Sequence, residues 1–145
     1  MRPTRRLCCA AGAALLVLAG GCSNAQAPIN KEPHTGVAVA RLTHGVQLVI
    51  VRAGSDFRFH PSTIIVHQGI VRIVLRNTEP RSGGPPHDLQ VTGLPGVGVP
   101  LTYPAGAAED TFRAPRPGRY RFICTIHVNQ GQTGVLIVKP GPPSS

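Results

Sequence analysis

The stretch Arg119-Tyr120-Arg121-Phe122-Ile123-Cys124-Thr125-Ile126-His127-Val128-Asn129-Gln130-Gly131-Gln132-Thr133-Gly134-Val135-Leu136-Ile137-Val138-Lys139 holds two strand signals joined by a short loop. Before the loop, Arg119 and Arg121 alternate with Tyr120 and Phe122, the period of two that gives a strand one wet face and one buried face. After it, Gly134 to Lys139 is an aliphatic run of the kind that pleated sheets favour. The loop carries a cysteine, a histidine and two glutamines, donor-bearing side chains confined to a few residues.

The same pattern recurs outward along the chain. Strands are expected at 37–42 and 46–51, divided by His44-Gly45, at 63–67, and at 70–76 after the Gln68-Gly69 turn. Val71, Ile73 and Leu75 share one face of that last strand, while Arg72 and Arg76 take the other. Further strands are expected at 87–91, 110–113, 119–124 and 134–139. The 17 Gly and 15 Pro are spread through the whole chain, and they interrupt every window long enough for a helical period. Trp is absent and the only aromatics are 4 Phe and 2 Tyr, so the core is built from branched aliphatics. About eight short, evenly spaced strands predict an all-β fold, a Greek-key β-sandwich. The connection from Gly93 to Ala108 carries Pro95, Pro100 and Pro104 and reads as loop.

The N-terminus reads as a targeting segment. Arg2, Arg5 and Arg6 precede an apolar run from Leu7 to Ala19, shorter than the ~20 residues needed to span a bilayer. Gly20 and Gly21 then lead to Cys22, a pattern that resembles the bacterial lipobox, with Leu18 one place further from the cysteine than usual. Residues 1–21 are expected to be removed and Cys22 to be lipidated. Residues 22–36 would form a flexible tether, 37–140 the folded domain and 141–145 a tail. The arginine pair Arg5-Arg6 resembles a twin-arginine export signal only weakly. The expected location is the extracytoplasmic face of a membrane, held there by the lipid.

Cysteine usage narrows the chemistry. Of the 4 cysteines, Cys8 and Cys9 leave with the signal and Cys22 is taken by lipid. Cys124 then stands alone, and an exported free thiol is prone to oxidation unless something protects it. A metal bond would do so. His127 lies three residues beyond Cys124, Gln132 five beyond His127, and a turn brings such spacings to one side. His87, opening a strand after Gly83-Gly84-Pro85-Pro86, is the candidate from elsewhere in the chain. One thiolate with two imidazoles is the strong equatorial set for copper, completed by a weak axial donor.

These residues also resemble those of a known family. The order Cys124, His127, Gln132, Gly134 before a final strand is similar to the ligand loop of cupredoxins of the plastocyanin, amicyanin and pseudoazurin type. Phe59-His60-Pro61-Ser62-Thr63-Ile64-Ile65-Val66-His67-Gln68-Gly69 resembles an upstream family segment. Pro117-Gly118-Arg119-Tyr120-Arg121-Phe122-Ile123-Cys124 resembles the family's approach to the loop. The resemblance covers roughly residues 46–139. It implies a single type 1 copper ion held by His87, Cys124, His127 and Gln132, and an electron carrier rather than an enzyme. Gln132 stands where most of the family has Met, as in stellacyanin-like members, and a harder amide oxygen implies a lower reduction potential. Gln130 is the competing axial candidate. Asp88 stands where the family commonly has Asn, placed to accept from the Thr125 hydroxyl.

Other readings follow from the same residues. One Cys and two His also bind zinc, although an amide is a poor fourth donor to that ion. Cys124 with His127 is the pair a nucleophilic enzyme would use, without an evident orienting acid. His34 and His44 are the pair from which a second copper site would be built; with His60 and His67 they read as surface or turn residues. Copper handling as a chaperone or resistance factor competes with electron shuttling, as does a copper-free interaction module. Net charge is +9 over the whole chain, and the arginines Arg72, Arg76, Arg113, Arg116, Arg119 and Arg121 describe a solvated sheet face. Without interleaved aromatics this pattern excludes nucleic acid as the expected partner. A monomer is expected, working with an acidic, membrane-associated redox protein or against an anionic membrane. If Cys22 carries lipid, the mature chain will fractionate with membranes and its intact mass will include the acyl groups; Cys22→Ala will release it or block its processing.

Overall fold

The structure is a computed structural model and describes residues 35–142. The export signal at 1–21, Cys22, the tether up to residue 34, His34 and the tail at 143–145 lie outside the described residues. Among the described residues no helix is long and apolar enough to cross a membrane.

Eleven strands form two sheets: β1 (Val37–Val39), β2 (Arg41–Thr43), β3 (Val46–Ala53), β4 (Phe59–His60), β5 (Thr63–His67), β6 (Ile70–Asn77), β7 (His87–Val91), β8 (Gly98–Thr102), β9 (Ala107–Arg113), β10 (Gly118–Ile123) and β11 (Thr133–Lys139). The first sheet runs β1-β5-β11-β10-β7-β8; the second runs β2-β3-β6-β9, with β4 paired to β3. Six of the ten connections between these strands cross from one sheet to the other, as in a Greek-key sandwich. The described residues are therefore all-β, with more strands than the eight expected. Three local features account for the difference. The expected first strand breaks at Ala40, whose N–H bonds Ile65 O at 2.8 Å, so β1 joins one sheet and β2 the other. The two-residue β4 is too short to show a period.

The third difference corrects the sequence reading: β8 and the start of β9 lie in the stretch 93–108 expected to be loop. Its prolines masked the strand, but Pro100 sits on an edge strand, where the missing N–H breaks no ladder bond. Two residues of β8, Pro100 and Leu101, oppose the single residue Asp88 between the pairs Leu89↔Val99 and His87↔Thr102. This bulge falls beside His87, and such bulges re-aim side chains.

The odd positions of β3 and β6 fill the space between the sheets: Val49, Val51, Val71, Ile73 and Leu75 are buried, with Ile64, Val66, Leu136 and Phe122 opposite. Phe59 and Phe122 meet edge to face at 5.2 Å. The whole core and both sheets lie within residues 35–142. Three sequence features now have physical reasons. His44 and Gly45, with φ of 48° and 78°, make the two-residue turn between β2 and β3, which requires positive φ at both central positions. Tyr120 donates its hydroxyl to Arg116 O at 2.7 Å, pinning the corner that enters β10. Gly134 pairs with Phe122, and a Cβ there would stand 2.3 Å from Phe122 Cζ and 2.4 Å from Ser62 O.

The ends of the domain are tied as well. Thr35, placed by sequence in the tether, donates its N–H to Ser62 Oγ at 3.0 Å and its hydroxyl to Phe59 O. Gly141, placed in the tail, exchanges bonds with Gln68. Because the methyl of an alanine has nowhere to go between backbone and ring, Gly134→Ala will destabilise the domain by about 1–3 kcal/mol, read as a lowered urea midpoint.

Candidate metal centre

β10 and β11 are the two strands that present the ligand loop, and β7 brings its first residue to the same end of the sandwich. Phe122 and Ile123 pair with Val91 and Gln90, so Cys124, just past β10, lies opposite the His87 end of β7. The loop itself is tightly wound. Gln130 N and Gln132 N both bond His127 O, at 3.0 and 3.2 Å, and Cys124 N closes the loop on Gln132 O at 3.0 Å. A 3-10 turn (Val128–Gln130) ends at Gly131, whose φ of 87° is the left-handed cap.

This winding brings together the residues picked out by sequence. His87, Cys124 and His127 are buried, and their donor atoms all lie within 4.8 Å of one another. Cys124 Sγ is 3.4 Å from His127 Nδ1. Gln132 is fully buried and its Oε1 is 3.0 Å from His87 Nδ1. Gln130, by contrast, turns to solvent. His44 is exposed in the β2–β3 turn, His60 pairs with Asp56 at 2.5 Å on the surface, and His67 faces Pro140 O at 3.3 Å. Among the described residues the triad is the one group of at least three such side chains close enough to hold a metal.

Burial disfavours charge on two of the candidate ligands. Burial lowers the His87 pKa, a hydrogen bond with Gln132 opposes that shift, and the neighbouring His127 adds to it. Burial likewise raises the Cys124 thiol pKa, against the backbone of Asp88, His127 and Ile126. A neutral imidazole is ready to bind a cation, whereas a buried thiolate needs one for stability. Two buried polar atoms, His87 Nε2 and Gln132 Nε2, have no hydrogen-bond partner among the described residues. Leaving buried polar groups unpaired costs roughly 1–3 kcal/mol each, an expense characteristic of a site shaped for a ligand rather than for folding alone. The donor set of one sulfur, two imidazoles and an amide oxygen fits copper.

Several supporting residues went unnoticed in the sequence. Phe57, in the β3–β4 loop with φ of 52°, packs its ring 4.7 Å from the His127 ring and 6.4 Å from that of His87. Arg58 donates to Phe57 O at 2.8 Å and Gln130 O at 2.7 Å, joining this loop to the ligand loop. Buried Asn77 donates to Pro85 O at 2.9 Å and Thr102 O at 3.0 Å, and accepts from Glu79 N at 3.0 Å, so it fixes the approach to His87. A polar residue ending an aliphatic strand was the available signal for Asn77; Phe57 had none, because a lone loop aromatic has no period. Asp88 does more than expected. Its two oxygens accept from the Thr125 N–H and hydroxyl, both at 2.7 Å.

Solved structures of similar shape include the metal-binding domain of the Cu(I)-exporting P-type ATPase CopA of Streptococcus pneumoniae. It has a TM-score of 0.59 at 19% identity, covering 72% of this chain and 97% of that one. Auracyanin B gives 0.56 at 23%, covering 70% and 94%. Auracyanin A, a "blue" copper protein from Chloroflexus aurantiacus, gives 0.54 at 20%, covering 66% and 100%. At these identities the likeness establishes the fold, which is that of the cupredoxins. No protein-family model and no curated protein sequence matches the chain. Removing the carboxylate that ties the two ligand segments, in Asp88→Ala, will cost about 2–4 kcal/mol from two charge-assisted bonds. Asp88→Asn, which can accept from the N–H and donate to the hydroxyl, will cost about 1 kcal/mol; urea unfolding separates the two.

Proposed function

We propose that this cupredoxin-fold chain binds one type 1 copper ion and carries single electrons. The observation that supports this most directly is the buried convergence of His87, Cys124 and His127 within 4.8 Å, with Gln132 Oε1 3.0 Å from His87 Nδ1. Copper, when bound, supplies the one-electron couple. His87, Cys124, His127 and Gln132 would hold it.

The chain's own residues hold that set in place. The hydrogen-bonded ligand loop, the Asp88–Thr125 tie and the Asn77 brace restrict how far the donors move, which favours a low barrier between oxidation states. Phe57 shields both imidazoles from water. Gln132 offers a hard oxygen that favours the cupric form. Of the three candidate equatorial ligands His127 is the most exposed, at 7%, and it lies beside the exposed Ile126, so its imidazole would be the ligand nearest a docked partner. The acidic, membrane-associated redox partner, the lipid on Cys22, the extracytoplasmic location and the monomeric state belong to the same proposal.

Copper handling is the second reading, favoured by the likeness to the metal-binding domain of a Cu(I) exporter. The site's chemistry favours electron transfer instead. Exchangeable copper carriers rely on methionine-rich surfaces, and the only methionine here is Met1, in the expected signal.

Cupric ion added to the domain will give an intense visible absorption from cysteine-to-copper charge transfer. Cys124→Ser will abolish it while the fold persists; a coloured Cys124→Ser protein overturns the assignment. Reduction beside a cuprous chelator separates the two readings, since an electron carrier retains its copper and a copper carrier gives it up. Gln132→Met will raise the reduction potential measured by voltammetry, and Gln130→Met will leave it unchanged.

A further inference from the structure

The outer face of the second sheet has a composition that its fold does not require. Along β3 it presents Val46, Leu48 and Ile50, and along β6 it presents Ile70 and Val74, all half-buried or exposed. Arginines are set among them in register. Arg41 and Arg72 flank Leu48, Arg113 stands beside Ile70, and Arg52 pairs with Arg76 at the end of the same strands. Neighbouring strands lie ~4.8 Å apart, so the stems of Arg41, Arg72 and Arg113 run beside aliphatic side chains.

The charge is largely uncompensated. Glu109 faces Arg72 at 3.8 Å, with both side chains about half exposed. Asp110 points to the other side and accepts from Gly98 N at 2.9 Å. Among the described residues Arg41, Arg52, Arg76 and Arg113 have no acidic partner. At one end of the face Thr43, His44, Val46, Leu48 and Arg72 wall a concavity of about 170 Å³, with room for a phosphate group at its cationic side.

We propose that this face, where arginines alternate with exposed aliphatic residues across β2, β3, β6 and β9, docks on an anionic lipid bilayer. A bilayer surface offers phosphates and, just beneath them, acyl carbon. Arginine forks suit the first, and the interleaved valine, leucine and isoleucine side chains suit the second, as on interfacial membrane segments. An acidic protein patch would instead press carboxylates against Leu48, Ile50 and Val74, which desolvates charge without pairing it. With this face down, the strands lie along the membrane. The His87 and Cys124 end of the sandwich then points sideways in the membrane plane, towards whatever is embedded beside it. That orientation rests on the copper reading; the docking does not.

The test uses no copper and no lipid anchor: the chain begun at Ser23, which contains the whole core and both sheets, is sedimented with vesicles. It will bind phosphatidylglycerol vesicles, ignore phosphatidylcholine vesicles, and weaken as salt screens the attraction. Each interfacial arginine contributes about fivefold in affinity. Arg41→Gln, Arg72→Gln and Arg113→Gln together will therefore weaken binding on the order of a hundredfold. Arg81→Gln, Arg116→Gln and Arg119→Gln together remove the same charge elsewhere and will change it less than about fivefold. Ile50→Ser will lower the fraction that stays bound at high salt. Equal losses from the two triple variants would mean attraction by net charge alone and overturn the proposal, as would absence of vesicle binding. Retention on polyglutamate through the same arginines, without vesicle binding, would make the face a site for an acidic protein and equally overturn it.

Discussion

Asp88 follows His87 on β7 and gives both carboxylate oxygens to Thr125, the residue after Cys124. Two distant stretches of chain are thereby locked one residue beyond each of two candidate ligands. Without this tie β7 and β10 share only two paired positions at this end, Phe122 with Val91 and Ile123 with Gln90, and the contact of His87 with Gln132 would be left to link the donors across the strands. The bulge of β8 opposite Asp88 belongs to the same arrangement. There two residues of β8 oppose the single residue Asp88, and His87, Asp88 and Leu89 are all buried.

The rest of the sandwich serves to make this end rigid. Aliphatic packing between the sheets is continuous up to Phe59, Phe122 and Cys124, so the sulfur sits in the apolar cluster. Polar side chains enter the interior where backbone must be held. Gln47 bonds both N–H and C=O of His67, Asn77 holds the segments on either side of His87, and Gln132 faces the histidine itself. The pattern is economical: buried polar groups near the turns are satisfied by backbone, whereas those at the candidate metal centre include two atoms with no partner among the described residues. Such rigidity would suit the proposed one-electron centre, because little would have to rearrange.

Much of this was legible in the sequence because it depends on local order. Alternation located most strands, and the spacing of Cys124, His127 and Gln132 located the ligand loop. The aliphatic Val71, Ile73 and Leu75 indicated which face of β6 is buried, with Arg72 and Arg76 outside. Where reading failed, the cause was nonlocal. Pro100 looked like a loop residue until β8 proved to be an edge strand. Val37 to Leu42 looked like one strand until Ala40 proved to be the point at which the chain changes sheets.

The sequence by itself determined the all-β class, which follows from residue type and period, and it singled out three candidate donors and a candidate axial pair. Only the tertiary structure decided between Gln132 and Gln130 in position, burying one beside His87 and turning the other to solvent. It alone brought Phe57 and Arg58 from a separate loop onto the ligand loop, and it alone aligned arginines from four strands into one face. The reason is the same in each case. A side chain's type is written in the chain, but its neighbours are set by register and by sheet order, and those are settled by packing across residues far apart in sequence.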